Sequence, residues 1–180
     1  MHASVMLLLY PKDGQYHLLL NKRTDLVEHH KGEISFPGGA QDPEDNSYRD
    51  TALRETDEEM GVRPEDVQVL GELDDIPTRS GFLIHPFVGV IPYPYKFTVS
   101  TIEVAEVLEV PLPWLLNNEN VREEARLVDG QLTKSHTYRY NNHLVFGATA
   151  RIIEQLLGLL ADEPDMEALW KTTENTATLR

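Results

Sequence analysis

Glu55, Glu58 and Glu59 stand at i, i+3 and i+4 behind the glycine pair Gly38-Gly39, with Arg54 directly before them. If Ser47 to Met60 is helical, a turn of ~100° per residue gathers the three carboxylates into one sector about 100° wide and puts Ala52, Leu53, Thr56 and Met60 on another. One face is then core and the other acid. Like charges at this spacing cost a helix roughly 0.2–0.5 kcal/mol per pair, so their crowding points to a cation that offsets the repulsion. Oxygen ligands alone favour Mg²⁺ or Mn²⁺. Glycines ahead of the helix let the backbone come close to a ligand. The chemistry written in these residues is that of a metal-and-phosphate site, although Asp57-Glu58-Glu59 taken alone reads as a solvated helix face.

The wider pattern decides between the two, because it resembles the Nudix box: Gly-x5-Glu-x7-Arg-Glu-apolar-x-Glu-Glu-x-Gly-apolar. Arg54-Glu55-Thr56-Asp57-Glu58-Glu59-Met60-Gly61-Val62 follows the second half at every position but Thr56, which keeps a methyl group. The first half is one residue longer between Gly39 and Arg54 than the standard box, so its acidic position falls on Asp45, or on Glu44 if counted from Gly38. This longer form, with Asp42-Pro43-x-Asp45, is similar to the box of the coenzyme A pyrophosphatase branch. Upstream, Leu19-Leu20-Asn21-Lys22-Arg23-Thr24, Gly32 and Phe36-Pro37-Gly38-Gly39 resemble that branch's coenzyme A motif, with departures at Asn21, Thr24 and Glu28. Gly81 to Gly89, Glu103 to Leu112 and Phe146 to Arg151 extend the likeness, so that it runs from about residue 5 to about residue 160.

The resemblance implies a Nudix-type α/β/α sandwich with a mixed β-sheet. It makes Glu55 and Glu59 the leading metal ligands, Glu58 the next and the Gly39 carbonyl a further one, with Mg²⁺ or Mn²⁺ as cofactor. Arg54 then either orients a box carboxylate or contacts phosphate, orientation being the favoured reading. The base that takes a proton from water falls on Glu59, Glu103 or Glu106. Arg23 and Gly38 are candidate substrate contacts, with a surface salt bridge as the plain reading of Arg23. The reaction implied is attack of water on phosphorus, splitting coenzyme A or a derivative into adenosine 3′,5′-bisphosphate and a 4′-phosphopantetheine part. Two rivals are the same cleavage on ADP-ribose or a dinucleotide, and a Nudix module that binds a nucleotide without cleaving it.

These residues need elements to hold them. Apolar and β-branched runs at Val5–Tyr10, Tyr16–Asn21, Val67–Leu73, Leu83–Ile91 and Val104–Val110 predict strands, the first two joined at Asp13-Gly14. Helical spacing covers Ser47–Met60, ended by Gly61, and Phe146–Ala161, with a short helix around Leu115–Leu116 and an exit loop over residues 117–120. Residues 1–161 are expected to form the domain and 162–180 a polar tail whose anchors are Met166, Leu169 and Trp170. The 180 residues suffice for one core, and 41% of them are hydrophobic. Without cysteine there is no disulfide, thiolate zinc site or cysteine nucleophile. A histidine-only zinc site built from His29, His30 and His85 lacks ligand spacing, and His85 reads as structural. A net charge of −14 argues against nucleic acid and anionic membranes as partners. Val5–Leu9 is too short for a membrane anchor, and a cytoplasmic setting is the expectation. The partner expected is a small-molecule nucleotide, with a homodimer as an open assembly state.

Overall fold

The first strand decides the architecture, because β1 (His2–Lys12) is bordered on both sides and carries fully buried side chains from Met6 to Leu8. In a strand successive side chains face opposite ways, and here both sets are apolar. Leu7 and Leu9 enter one core, while Met6, Leu8 and Tyr10 enter another. A sheet buried on both faces follows. The computed structural model describes residues 1–26, 30–128 and 131–161.

A hairpin at Asp13-Gly14, both residues at positive φ, returns the chain as β2 (Gln15–Arg23), antiparallel to β1. The short strands β3 (Ile34–Ser35) and β4 (Gly38–Ala40) pair with β2 and with the start of β1. After the first helix come β5 (Gln68–Glu72), β6 (Ile76–Pro77), β7 (Leu83–Val90) and β8 (Val104–Pro111). The backbone order is β3-β2-β1-β7-β5, with β8 also on β2 and β6 also on β7. Among the described residues only β1 and β7 run parallel, which makes the sheet mixed.

Helix α1 (Tyr48–Met60) covers one face. Ser47 caps its start by accepting a hydrogen bond from the Asp50 amide, and Gly61 ends it at φ 65°, with its amide donating to the Asp57 carbonyl. Thr98 and Ser100 amides take the carbonyls of Met60 and Glu59, so the helix end is tied to the loop that leads into β8. The other face is covered by α2 (Leu112–Leu116), α3 (Gly147–Ala161) and a second sheet of β9 (Val121–Val128), β10 (Gln131–Tyr140) and β11 (His143–Val145). Leu112, Leu115, Tyr138, Val145, Ile152, Ile153 and Leu156 fill that core with Leu18, Leu20 and Leu108.

The predicted helices and long strands therefore form, at slightly shifted bounds. The second sheet was not expected, and residues 118–120 are a 3₁₀ turn rather than a loop. The tail 162–180, with Met166, Leu169 and Trp170, lies outside the described residues, as do Glu28 and His29.

Candidate active site

Strand alternation on β2 sends Leu18 and Leu20 to the core shared with α3 and sends Leu19 and Asn21 towards α1. Asn21, 1% exposed, meets Glu59 there. Its Nδ2 donates to Glu59 Oε2 at 3.0 Å, and the Gly38 amide donates to the same oxygen at 3.3 Å. Arg23 Nη1 stands 3.5 Å from Glu59 Oε1. Glu59 is itself only 3% exposed, so the expected acidic face divides: Glu58 meets solvent, while Glu59 turns inward beside Thr56 and Met60. Burial pushes its carboxyl up to about 7, against the opposing pull of Arg23 and the Gly38 amide, with the negative charges of Glu103 and Glu55 adding to the rise.

Gly38 and Gly39 are required by close approach. A Cβ on Gly38, at φ 152°, would stand 2.2 Å from the Ser4 carbonyl oxygen of β1. One on Gly39 would stand 2.6 Å from the Glu55 carboxylate. Glu55 and Glu59 thus lie against consecutive residues of the same glycine pair. Burial raises the Glu55 carboxyl, and Arg54 opposes the rise.

Arg54 ties the loop to the helix. Its Nε and Nη2 donate to the two oxygens of Asp45 at 2.9 and 3.0 Å, Nη1 donates to Glu55 Oε1 at 2.9 Å and Glu58 Oε2 at 3.1 Å, and Nη2 also reaches the Ala40 carbonyl. Asp45 accepts further hydrogen bonds from Thr51 Oγ1 and the Asp42 amide, and Arg54 leads these donors in holding its carboxyl well below the usual range. This is the geometry of an orienting arginine. Glu44 instead lies in the exposed loop, with its amide on Asp42 Oδ1.

The downstream acids separate. Glu103 follows the loop that caps α1, and its charge acts on both Glu55 and Glu59. Glu106 pairs in register with Lys22, on the face that Leu20 and Leu108 share, and its carboxylate meets His143 Nε2 at 3.2 Å. That face is opposite α1, so Glu106 is not brought to the box carboxylates. Among the histidines, His85 is buried, with Nδ1 2.7 Å from Asp75 Oδ1 and Nε2 3.0 Å from His2, and stacks on Tyr48. His30 is at the surface beside Glu33. A cavity of about 420 Å³ lined by Gly61, Arg63, Asp66, Tyr95 and Lys96 lies past the end of α1, away from these carboxylates.

Among the described residues, no three His, Asp or Glu side chains converge as a closed cation cage. Arg54 engages Glu55 and Glu58, and Arg23 with Asn21 engages Glu59. The residues still fit a hydrated divalent cation, which keeps waters and takes one or two carboxylates. Every donor is an oxygen, two carboxylates adjoin one glycine pair, and Glu59 Oε1 has the long contact with Arg23 as its partner among the described residues.

The model of the NUDIX domain matches residues 1–124. The chain belongs to the Nudix family. A relative from Photorhabdus laumondii, a Nudix hydrolase called NudL, is 38% identical over 155 residues, covering 86% of this chain and 82% of its own. A second NudL, from Pectobacterium atrosepticum, is 37% identical, with 82% and 77% covered. The NUDIX domain of Shewanella oneidensis NrtR, solved with ADP ribose, shares the fold at a TM-score of 0.56 and 20% identity, with 89% of this chain and 88% of that one aligned. No helix of the described residues is long and apolar enough to cross a membrane.

Within this Nudix domain two residues outside the acidic helix support the site. Asp45 anchors Arg54 and Asn21 holds Glu59. Asp45 was signalled by the longer box, and Asn21 was visible only as a departure from the upstream motif.

Proposed function

We propose that this Nudix hydrolase cleaves the diphosphate of coenzyme A or its derivatives, releasing adenosine 3′,5′-bisphosphate and 4′-phosphopantetheine or its acyl form. Hydrolysis of a nucleoside diphosphate derivative is the coarser activity that family membership carries. The observation that carries the finer reading is Arg23. It belongs to the upstream coenzyme A motif, it lies beside the box carboxylate Glu59, and its buried Nε has no protein partner among the described residues. A buried guanidinium N–H left unpaired is costly unless an anion takes it, and a phosphate oxygen suits it.

Glu55 and Glu59 would hold Mg²⁺ or Mn²⁺, with Glu58 and the Gly39 carbonyl as further ligands. The bound cation would lower the pKa of a water and neutralise charge on the leaving phosphate. Arg54 keeps Glu55 and Glu58 oriented through Asp45, and the glycine pair lets a diphosphate approach the backbone. Glu59 or Glu103 takes the proton from water, and Glu106 is set aside because it faces away. A non-catalytic module has little use for Glu55 and Glu59 held in this way.

Incubation with coenzyme A, dephospho-coenzyme A and ADP-ribose in turn, with Mg²⁺ or Mn²⁺ and products resolved by mass, tests the substrate. The expected result is faster turnover of coenzyme A, giving the two phosphate monoesters. Turnover of ADP-ribose alone would transfer the site to the rival substrate, and the departures at Asn21, Thr24 and Glu28 would be the reason.

A further inference from the structure

We propose that Asn21 is a positioning residue that fixes the Glu59 carboxylate for cation binding, an inference that rests on the metal-site reading above. Asn21 ends the apolar run Leu18-Leu19-Leu20 on β2 and is 1% exposed. An amide in that place has two ends to satisfy. Nδ2 has its partner in Glu59 Oε2 at 3.0 Å, whereas Oδ1 is buried with no partner among the described residues. The amide orientation follows from charge, since the flipped form would turn Oδ1 against a carboxylate oxygen. The strand therefore tolerates an orphan acceptor for the sake of one hydrogen bond, and that bond is to Glu59.

A neutral donor does what a cation there would not. Arg23, across the same carboxylate, offers a positive charge that competes with a metal, while Asn21 holds the group and leaves its charge available. Asn21 and the Gly38 amide together fill Oε2, so Oε1 becomes the oxygen free to turn to a cation. Side chains that orient a metal ligand in this way typically govern affinity about 10- to 100-fold.

Mn²⁺ binding to the full chain, followed by electron paramagnetic resonance of the free ion, reads this directly without turnover. Asn21→Leu, of similar size and without a donor, is expected to weaken Mn²⁺ about tenfold. The same substitution in a Glu59→Gln background is expected to change affinity by less than about twofold, because the residue acts through Glu59. The metal-free melting temperature should hold or rise, since the orphan acceptor leaves with the amide. If Asn21→Leu does not fold, Asn21→Ser, too short to reach Glu59, should show the same loss. Unchanged affinity, or an equal loss in both backgrounds, would overturn the proposal. A parent chain that binds no Mn²⁺ would overturn the metal-site reading and this inference with it.

Discussion

At the scale of single residues, the site rests on carboxylates placed where water cannot fully solvate them. Glu59 makes the clearest case. A folded-state carboxyl raised from 4.5 to about 7 by burial stabilises the protein below the unfolded value and loses that contribution as pH rises through about 7. The metal-free chain should therefore lose stability between about pH 5 and pH 8, by up to roughly 3 kcal/mol from this group. Glu59→Gln should flatten the loss, and Mn²⁺ should restore stability more at pH 8 than at pH 5.5; melting temperatures across that range check both. In turnover, Glu55→Gln and Glu59→Gln should each lose most of kcat while still folding. Arg23→Ala should lower kcat/KM about 10- to 100-fold for coenzyme A and less for dephospho-coenzyme A, which lacks the 3′-phosphate, as a charge-assisted contact of about 1.5–3 kcal/mol implies. Equal losses on the two would remove Arg23 from the 3′-phosphate. The carboxylate spacing of the box was legible in sequence, but the inward turn of Glu59 was not, because a helical wheel gives direction without saying which neighbours arrive from β2 and β4.

At the scale of elements, the glycine strand β4 and helix α1 have to be held at one separation, and two adjacent glycines do this differently. A Cβ at Gly38 meets the backbone of β1, so Gly38→Ala should destabilise the fold itself; a Cβ at Gly39 meets the movable end of Glu55, so Gly39→Ala should fold and lose activity. Denaturant melts beside rate measurements separate the two, and matched stability losses would count against this division. Arg54 fastens the same pair of elements through Asp45, and Arg54→Lys, unable to form the paired hydrogen bonds, should cost about 1–2 kcal/mol of stability together with activity. Long apolar strands announced themselves in the sequence. β9 and β10 did not, since Val-Arg-Glu-Glu-Ala and Thr-Lys-Ser-His-Thr carry few apolar residues and are exposed or half-buried. β3 and β4 are too short to show a period. The register shift between Lys22 and Arg23 adds to the effect: alternation alone would put Glu106 on the same face as Val104, towards α1, whereas the shifted pairing with Lys22 turns it to the opposite face.

At the scale of the whole molecule, one sheet separates two tasks. The α1 face carries the glycine pair, Arg54, Glu55 and Glu59, while α3 and the second sheet bury the opposite core. The fold class was legible because the box specifies a family and the family a sandwich; composition by itself stopped at α/β. Substrate identity was less legible, since the box is common to the family and the upstream motif around Asn21, Arg23 and Thr24 matches only in part. The chain's net charge of −14 gives no general attraction for an anionic substrate, so under the proposed function that attraction is assigned locally, to the cation and Arg23. If water attacks phosphorus in the diphosphate of coenzyme A, as proposed, cleavage in ¹⁸O-labelled water with Mn²⁺ present will show where the new oxygen goes. One labelled oxygen is expected on a phosphate of adenosine 3′,5′-bisphosphate or 4′-phosphopantetheine. Label confined to the thioester carbonyl of an acyl derivative, or no cleavage of coenzyme A at all, would contradict it.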